Sequence, residues 1–181
     1  MEDDVGAILT DPSTDTTEVY VLPKGFKNKE VLKYNSTQDF IDDKLETTFQ
    51  LPFPWTGTGH VVYAGCLYYI SHVKNKIVRY DFQARRMRKQ NEITDALMGE
   101  ECVYENNEHS EIELAFDETG LWASYCQNGT HGNIVLSRLD MYTLERKRTY
   151  HSTMHKNWMV NSFIACGKFY GLRKWFCPAA W

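Results

Sequence analysis

The chain has 181 residues, 43% hydrophobic and 24% charged, which is typical of one soluble domain with a sizeable core. A formal net charge of −4 at pH 7 gives no field that would attract nucleic acid, and the single basic run, Arg85 to Lys89, is typical of a solvated turn between strands. No apolar stretch approaches the ~18 residues of a membrane span, and the acidic start, residues 1–4, is unlike a signal peptide. Aromatic residues make up 14% of the chain, which favours an all-β fold.

A unit of roughly fifty residues recurs along the chain, a period found in propeller blades. Each copy has an aromatic strand, a polar turn and a second apolar strand, and the aromatics at equivalent places are Tyr20, Tyr68, Trp122 and Tyr170. A weaker third strand follows in two copies, at Met87 to Gln90 and Arg146 to Tyr150. The paired runs are Val19 to Leu22 and Val31 to Tyr34, Leu67 to Ile70 and Ile77 to Asp81, Leu121 to Tyr125 and Ile134 to Asp140, and the unpaired Phe169 to Leu172.

This repeat predicts an all-β chain with about three propeller blades and the start of a fourth. The strands read as near-continuous apolar runs because a blade buries both faces against its neighbours. A β-sandwich is the alternative that strand spacing alone also permits. The recurrence of the whole unit favours the propeller.

The block from Leu51 to Tyr69 has the strongest local pattern. Its prolines exclude a helix, Gly57 and Gly59 supply tight turns, and the β-type run Val61 to Tyr63 follows. A Gly-x-Gly pair is also found in phosphate-binding loops, but such a loop opens a helix, and here strand-forming residues come next. The block therefore predicts a turn that leads into a strand.

Four motifs in this order resemble the olfactomedin-like domain family, which includes olfactomedin, myocilin and gliomedin. They are Leu51 to Tyr63, Glu113 to Trp122, Gly132 to Asp140, and Asn161 to Gly167. The resemblance covers residues 9–173 and leaves residues 1–8 as an N-terminal extension and residues 174–181 as a tail outside the family pattern.

The resemblance implies a five-bladed β-propeller, incomplete in this chain, whose unpaired strands and apolar blade face would make it poorly stable and prone to self-association. It implies a secreted, non-enzymatic interaction module whose partner is an extracellular receptor, a matrix protein or a second copy. Asn35 and Asn128 begin N-x-Ser/Thr sequons in polar turns, which a secreted chain would glycosylate.

Two other functional hypotheses stay open. A propeller-scaffold hydrolase would need several carboxylates in its channel, and Glu111, Glu113 and Asp117 are the candidates. A truncated product without an independent function is the other.

The resemblance also implies a calcium ion in the central channel. The matching positions are Glu113 for a carboxylate, Asn161 for an amide and Ser162 for a main-chain carbonyl. Calcium takes six to eight oxygens, so these three make only a partial site. The alternative is that Glu113 and Asn161 are polar channel residues that bind water.

The five cysteines show no CxxC pair, and their odd number leaves at least one without a partner in the chain. By resemblance Cys166 is the family's disulfide cysteine, but its usual N-terminal partner is absent.

Three aspartates and one histidine are predicted to have structural roles. Asp81, Asp117 and Asp140 each follow a strand or precede a turn, where a carboxylate can accept from main-chain amides. His60 could be considered a general base, but no nucleophile motif accompanies it. We therefore expect His60 to be hydrogen-bonded and packed beside Trp55.

Overall fold

The computed structural model describes residues 6–23, 28–73, 76–97, 99, 102–104 and 111–173. Its strands form three four-stranded antiparallel sheets and one two-stranded hairpin. Within each sheet the strands lie in the same order as in the chain, so every strand pairs with its sequence neighbour. This arrangement confirms an all-β chain consistent with an incomplete β-propeller, and the sheets are called blades 1 to 3 below.

The strand bounds follow the predicted repeat, and each blade begins with one more strand, of which the strand at Val61–Tyr63 was also predicted. Blade 1 contains β1 (Ala7–Leu9), β2 (Val19–Leu22), β3 (Glu30–Tyr34) and β4 (Thr47–Gln50). Blade 2 contains β5 (Val61–Tyr63), β6 (Cys66–Ile70), β7 (Lys76–Asp81) and β8 (Arg86–Glu92). Blade 3 contains β9 (Glu113–Asp117), β10 (Gly120–Cys126), β11 (Asn133–Leu139) and β12 (Arg146–His155), and the hairpin contains β13 (Asn161–Ala165) and β14 (Lys168–Leu172).

Helix is scarce in the described residues, as the sequence predicts. The α-helix α1 (Thr37–Ile41) begins at Ser36, whose hydroxyl accepts from the Asp39 amide at 3.0 Å. One 3-10 turn spans Lys156–Trp158. Both are short connections between strands.

The two largest clusters of the core lie one on each side of blade 2, and a smaller third cluster contains Tyr104, Ile134 and Met159. All five residues of β6 are buried. Leu67 and Tyr69 pack with blade 1, whereas Tyr68 and Ile70 pack with blade 3. Because alternate residues of a strand point to opposite faces, a strand between two sheets must be apolar throughout. This explains the continuous apolar run in the sequence.

The four repeat aromatics all lie on the second strand of their sheets, but their burial differs. Tyr20, Tyr68 and Trp122 are buried, whereas Tyr170 on β14 is 42% exposed. The described residues place no further sheet against this side of the hairpin. The hairpin therefore presents apolar side chains to solvent.

Candidate functional site

The Gly-x-Gly turn of the opening motif lies against the innermost strand of blade 3. The Leu114 amide donates to the Gly59 carbonyl at 3.0 Å. A Cβ placed on Gly59 would lie 2.6 Å from Glu113 Cα, a distance that real structures do not allow. Glycine is required here because two main chains come into direct contact. The turn thus joins blade 2 to the strand that carries Glu113.

We expect Gly59→Ala to lower the free energy of unfolding by about 1 to 3 kcal/mol, because the added methyl must displace the Glu113 backbone. Urea unfolding followed by tryptophan fluorescence measures the change. Thr58→Ala, on the exposed neighbouring residue, is the matched control and should stay within about 0.5 kcal/mol of wild type. Equal urea midpoints for the two variants would show that the close contact between Gly59 and the Glu113 backbone does not contribute to stability.

A polar cavity of about 240 Å³ lies next to this turn, and we call it the channel cavity. It is lined by the turn, by β9 and by β13. Glu113, Asn161 and Ser162 all face it, so the structure brings together the three residues predicted as calcium donors. Whether an ion binds there is a separate question of chemistry.

Glu113 is held by hydroxyl groups from two other segments. The Tyr104 hydroxyl donates to Glu113 Oε2 at 2.5 Å and also contacts the Ser162 hydroxyl. Burial raises the pKa of the Tyr104 phenol, and the neighbouring Glu113 carboxylate raises it further. Tyr104 therefore stays protonated and available as a donor to Glu113.

Lys156 does not line the cavity but contacts Tyr104, and the sequence motifs did not indicate it. Its side chain is fully buried, and its Nζ donates to the Glu111 carbonyl at 3.2 Å. The ammonium also lies 4.7 Å from the centre of the Tyr104 ring. Burial lowers the Lys156 pKa to about 8, while the charges of Glu113 and Glu111 oppose that shift. Burial also raises the pKa of Glu113, and the charge of Lys156 opposes that shift.

The described donors do not make a calcium shell by themselves. Calcium takes six to eight oxygens at about 2.3–2.6 Å. The Asn161 side-chain oxygen already accepts from the Ser162 amide at 2.7 Å, and Glu113 accepts from Tyr104. Over the described residues no three His, Cys, Asp or Glu side chains cluster in a way that could hold a metal. Among the described residues, these donors alone do not complete a calcium shell, and calcium binding by this chain stays a prediction.

His60 lines the same cavity and has the structural role predicted for it. Its Nε2 donates to the Gly57 carbonyl at 3.1 Å, and its ring meets the edge of Trp55 at 5.6 Å between centres. Burial lowers the His60 pKa to about 4, and the Gly57 carbonyl opposes this only in part. The ring is therefore neutral at physiological pH.

The aspartates predicted to shape turns do so. Asp81 Oδ1 accepts from the Ala84 amide at 2.8 Å, and Asp140 Oδ1 accepts from the Tyr142 and Thr143 amides, both at 2.8 Å. The carboxylates of Asp81 and Asp140 therefore close the turns that connect neighbouring strands.

Asp117 closes its own turn and also reaches the next sheet. Its Oδ1 accepts from the Thr119 amide at 2.9 Å and from Trp122 Nε1 at 3.0 Å, and its Oδ2 accepts from the Gly167 amide at 2.8 Å. Asp11 makes the corresponding contact from blade 1 to the Gly65 amide of blade 2 at 2.8 Å. An aspartate thus bonds a turn amide of the next sheet at two places, between blades 1 and 2 and between blade 3 and the hairpin.

We expect Asp117→Ala to lower the free energy of unfolding by about 1 to 3 kcal/mol, since it leaves the amides of Thr119 and Gly167 without their side-chain acceptor. Asp117→Asn keeps one acceptor oxygen and should cost less. Thermal unfolding followed by circular dichroism measures both variants. An Asp117→Ala midpoint equal to wild type would show that water replaces the carboxylate at no cost.

The disulfide of the structure does not include Cys166, the cysteine that the resemblance indicated. A disulfide joins Cys102 and Cys126, whose Cα atoms are 5.6 Å apart. Cys66 and Cys166 are free thiols, buried and exposed respectively, and Cys177 lies outside the described residues. The sequence left the pairing open, because spacing alone cannot choose among the possible pairs.

Glu113 and Asp117, two of the three candidate hydrolase carboxylates, do not converge. Glu113 faces the channel cavity, whereas Asp117 lies at another surface depression and is engaged by the turn and sheet contacts described above. Glu111 contributes its main-chain carbonyl to Lys156. A glycosidase needs two carboxyl groups that flank one bond, roughly 5 to 10 Å apart. The placement of these side chains does not favour a hydrolase.

Consecutive antiparallel sheets with a polar cavity at their innermost strands define a β-propeller module. The profile of the olfactomedin-like domain matches residues 1–176, and the chain belongs to this family. Among curated relatives, adhesion G protein-coupled receptor L1 from Mus musculus and from Bos taurus are each 33% identical over 169 residues. The alignment covers 93% of this chain but only 12% of each receptor. No described helix has the length and apolar character to cross a membrane.

Proposed function

We propose that the chain is a non-enzymatic module for extracellular protein–protein interaction, in matrix, adhesion or receptor signalling. The observation that carries this proposal is its membership of the olfactomedin-like family, with adhesion receptors as relatives over 93% of its length. Blade loops around a rigid sheet scaffold can specify many partners, so the fold alone does not name one. The expected partner is an extracellular receptor or a matrix protein.

Binding and turnover assays together test this proposal. The immobilised chain is probed with purified receptor ectodomains and matrix proteins, and saturable binding to at least one is expected. The chain is also incubated with a panel of glycosides, with Glu113→Gln as the matched control. Glycoside turnover by wild type that Glu113→Gln abolishes would overturn the proposal in favour of a hydrolase.

A secreted location is the second part of the proposal, and the two sequons provide its test. Asn35 and Asn128 are both exposed, and both lie in turns or short connections. Expression through the secretory pathway should add glycans at these positions, which peptide mass mapping before and after glycosidase treatment detects. Asn35→Gln and Asn128→Gln are the matched controls. An unmodified secreted chain would contradict glycosylation.

Self-association of this chain is expected through the hairpin face, defined as the exposed side chains of Trp158, Phe163, Tyr170 and Leu172. They are between 42% and 57% exposed, and the Phe163 and Tyr170 rings stack at 4.9 Å. Aromatic side chains are enriched in protein interfaces, and a strand edge without a partner invites pairing. A second copy could cover both the apolar side chains and the open edge.

Sedimentation velocity over a range of concentrations tests this prediction. Wild type should sediment faster as the concentration rises, whereas the double variant Phe163→Ser, Tyr170→Ser should remain monomeric. Ile41→Ser is the control, because Ile41 is 69% exposed but lies in α1, outside the hairpin face. A wild-type chain that is monomeric throughout, with one sharp reversible thermal transition, would refute both self-association and low stability.

A further inference from the structure

A groove of about 370 Å³ lies between blade 3 and the hairpin, and we call it the blade 3 groove. Its walls include Trp122, Leu136, Arg138 and Tyr150 from blade 3 and Phe169 from the hairpin. Phe169 and Tyr170 are neighbours on β14, so their side chains point to opposite faces. The blade 3 groove and the exposed hairpin face therefore lie on opposite sides of this strand.

The strand order indicates what such a groove can hold. At the other two junctions between sheets, the third strands pack together. Val31 of β3 and Val78 of β7 belong to one buried cluster, and Ile77 of β7 and Val135 of β11 belong to another. The described part of the hairpin has only two strands, so β11 meets no third strand there and β14 has no partner on its outer edge. The groove lies where an added strand would pack.

The arginine of the groove differs from its counterparts in the other blades. Lys33, Arg79 and Arg138 occupy equivalent places, each opposite the repeat aromatic of its blade. Lys33 forms an ion pair with Glu18 at 2.7 Å, and the Arg79 guanidinium lies over Tyr142, 5.1 Å from the ring centre. Over the residues that the structure describes, Arg138 is exposed and forms neither an ion pair nor a ring contact.

A second arginine beside it gives this wall a double positive charge. Arg138 and Arg148 are Cα partners on β11 and β12, so their side chains share one face. Arg148 lies over the Tyr150 ring, 5.4 Å from its centre. Asp117 and Glu118 line a depression that Arg138 also reaches, but no described ion pair joins them to it. Since like charges opposite each other destabilise a sheet, this wall favours an anionic ligand.

We propose that the blade 3 groove binds an extended segment of a partner protein that carries a carboxylate between two apolar residues. The segment adds a strand to the outer edge of β14, where main-chain hydrogen bonds provide affinity. Its alternate side chains point toward blade 3, so the apolar ones pack on Trp122 and Leu136 and the carboxylate pairs with Arg138. This inference rests on the proposed interaction function and names the site and the kind of segment that it uses.

A designed peptide tests the pairing of the carboxylate. It has seven residues, with threonine at the odd positions, valine at the second and sixth, and glutamate at the fourth, so that the valines and the glutamate share one face. The matched peptide has glutamine at the fourth position. Tryptophan fluorescence of the dilute chain should saturate with the glutamate peptide, and the glutamine peptide should bind about tenfold more weakly.

Variants of the chain complete the cycle. Arg138→Gln should weaken the glutamate peptide about tenfold and leave the glutamine peptide unchanged. Arg86→Gln removes an exposed arginine of blade 2 and should change neither peptide. Equal affinities for the two peptides, or for wild type and Arg138→Gln, would overturn the proposal. Sodium glutamate that competes as well as the peptide would show a simple anion site and would overturn it too.

Hydrogen exchange locates the segment without any variant. In the dilute chain without peptide, amides of β14 should exchange faster than those of β10, which pairs on both sides. The glutamate peptide should slow exchange in β14 and leave β2 unchanged. If β14 is protected as strongly as β10 without peptide, a second copy or another segment of this chain covers the edge, and the proposal is wrong. No slowing of β14 by the peptide would also overturn it.

The binding panel of the proposed function separates the two levels of inference. If neither peptide binds but a receptor ectodomain or matrix protein binds saturably, this site is rejected and the interaction function stands. If neither the peptides nor any protein of the panel binds, both proposals fail.

Discussion

Removal of the Cys102–Cys126 disulfide is expected to lower the free energy of unfolding by about 3 to 4 kcal/mol, the value that chain entropy gives for a loop of this length. The two cysteines are 24 residues apart and connect the segment before β9 to the end of β10. Without the bond the conformational entropy of the unfolded chain rises, whereas that of the folded chain does not, so unfolding becomes more favourable. The double variant Cys102→Ala, Cys126→Ala should therefore unfold at a clearly lower urea concentration.

Two controls isolate the disulfide from the loss of a thiol as such. Cys166→Ser changes an exposed free cysteine and should stay within about 0.5 kcal/mol of wild type. Dithiothreitol should lower the midpoint of wild type but leave the double variant unchanged. A wild-type midpoint that is insensitive to reduction would contradict the prediction.

The second large effect is a loss of stability in mild acid that depends on His60. Burial holds its folded-state pKa at about 4, below the ordinary value of 6.5. Between pH 6.5 and pH 4 the unfolded chain binds a proton that the folded chain does not. Stability is therefore greatest above pH 6.5 and falls as the pH approaches 4, by up to about 3 kcal/mol.

Urea unfolding at pH 7 and pH 5 measures this slope. His60→Gln should be less stable than wild type at pH 7, because it loses the packing on Trp55, but it should show a smaller decrease between the two pH values. His151→Gln is the control, because it removes an exposed imidazole instead of the buried one. Equal slopes for wild type and His60→Gln would assign the acid sensitivity to other groups.

The strands were predictable where both of their faces are buried. The aromatic run of β6 gave a strong signal, because its location between two sheets demands apolar residues throughout. The inner strands gave a weaker signal, since β9 mixes Glu113 and Asp117 with apolar residues and faces the channel cavity on one side. The helix α1 has only five residues, too few for a helical period to show.

The residues at and near the channel cavity also differ in whether the sequence could predict them. Glu113, Asn161 and Ser162 belong to motifs that could be recognised in order along the chain. Tyr104 and Lys156 could not, because their roles arise from contacts between residues far apart in sequence, such as Tyr104 with Ser162, 58 positions away. A single lysine before Asn157 has no local pattern that distinguishes a buried charge from an exposed one. The burial of Lys156 over the Tyr104 ring is therefore a property that only the tertiary structure shows.

The strand order of the sheets has a consequence for how this chain is made. Within each described sheet the strands pair with their neighbours in sequence, so the described strands of a blade have their partners in the same blade. Short-range pairing carries a low entropic cost for loop closure and speeds folding. During synthesis the N-terminal blade can thus form as it leaves the ribosome, and each following blade finds a finished surface to pack on.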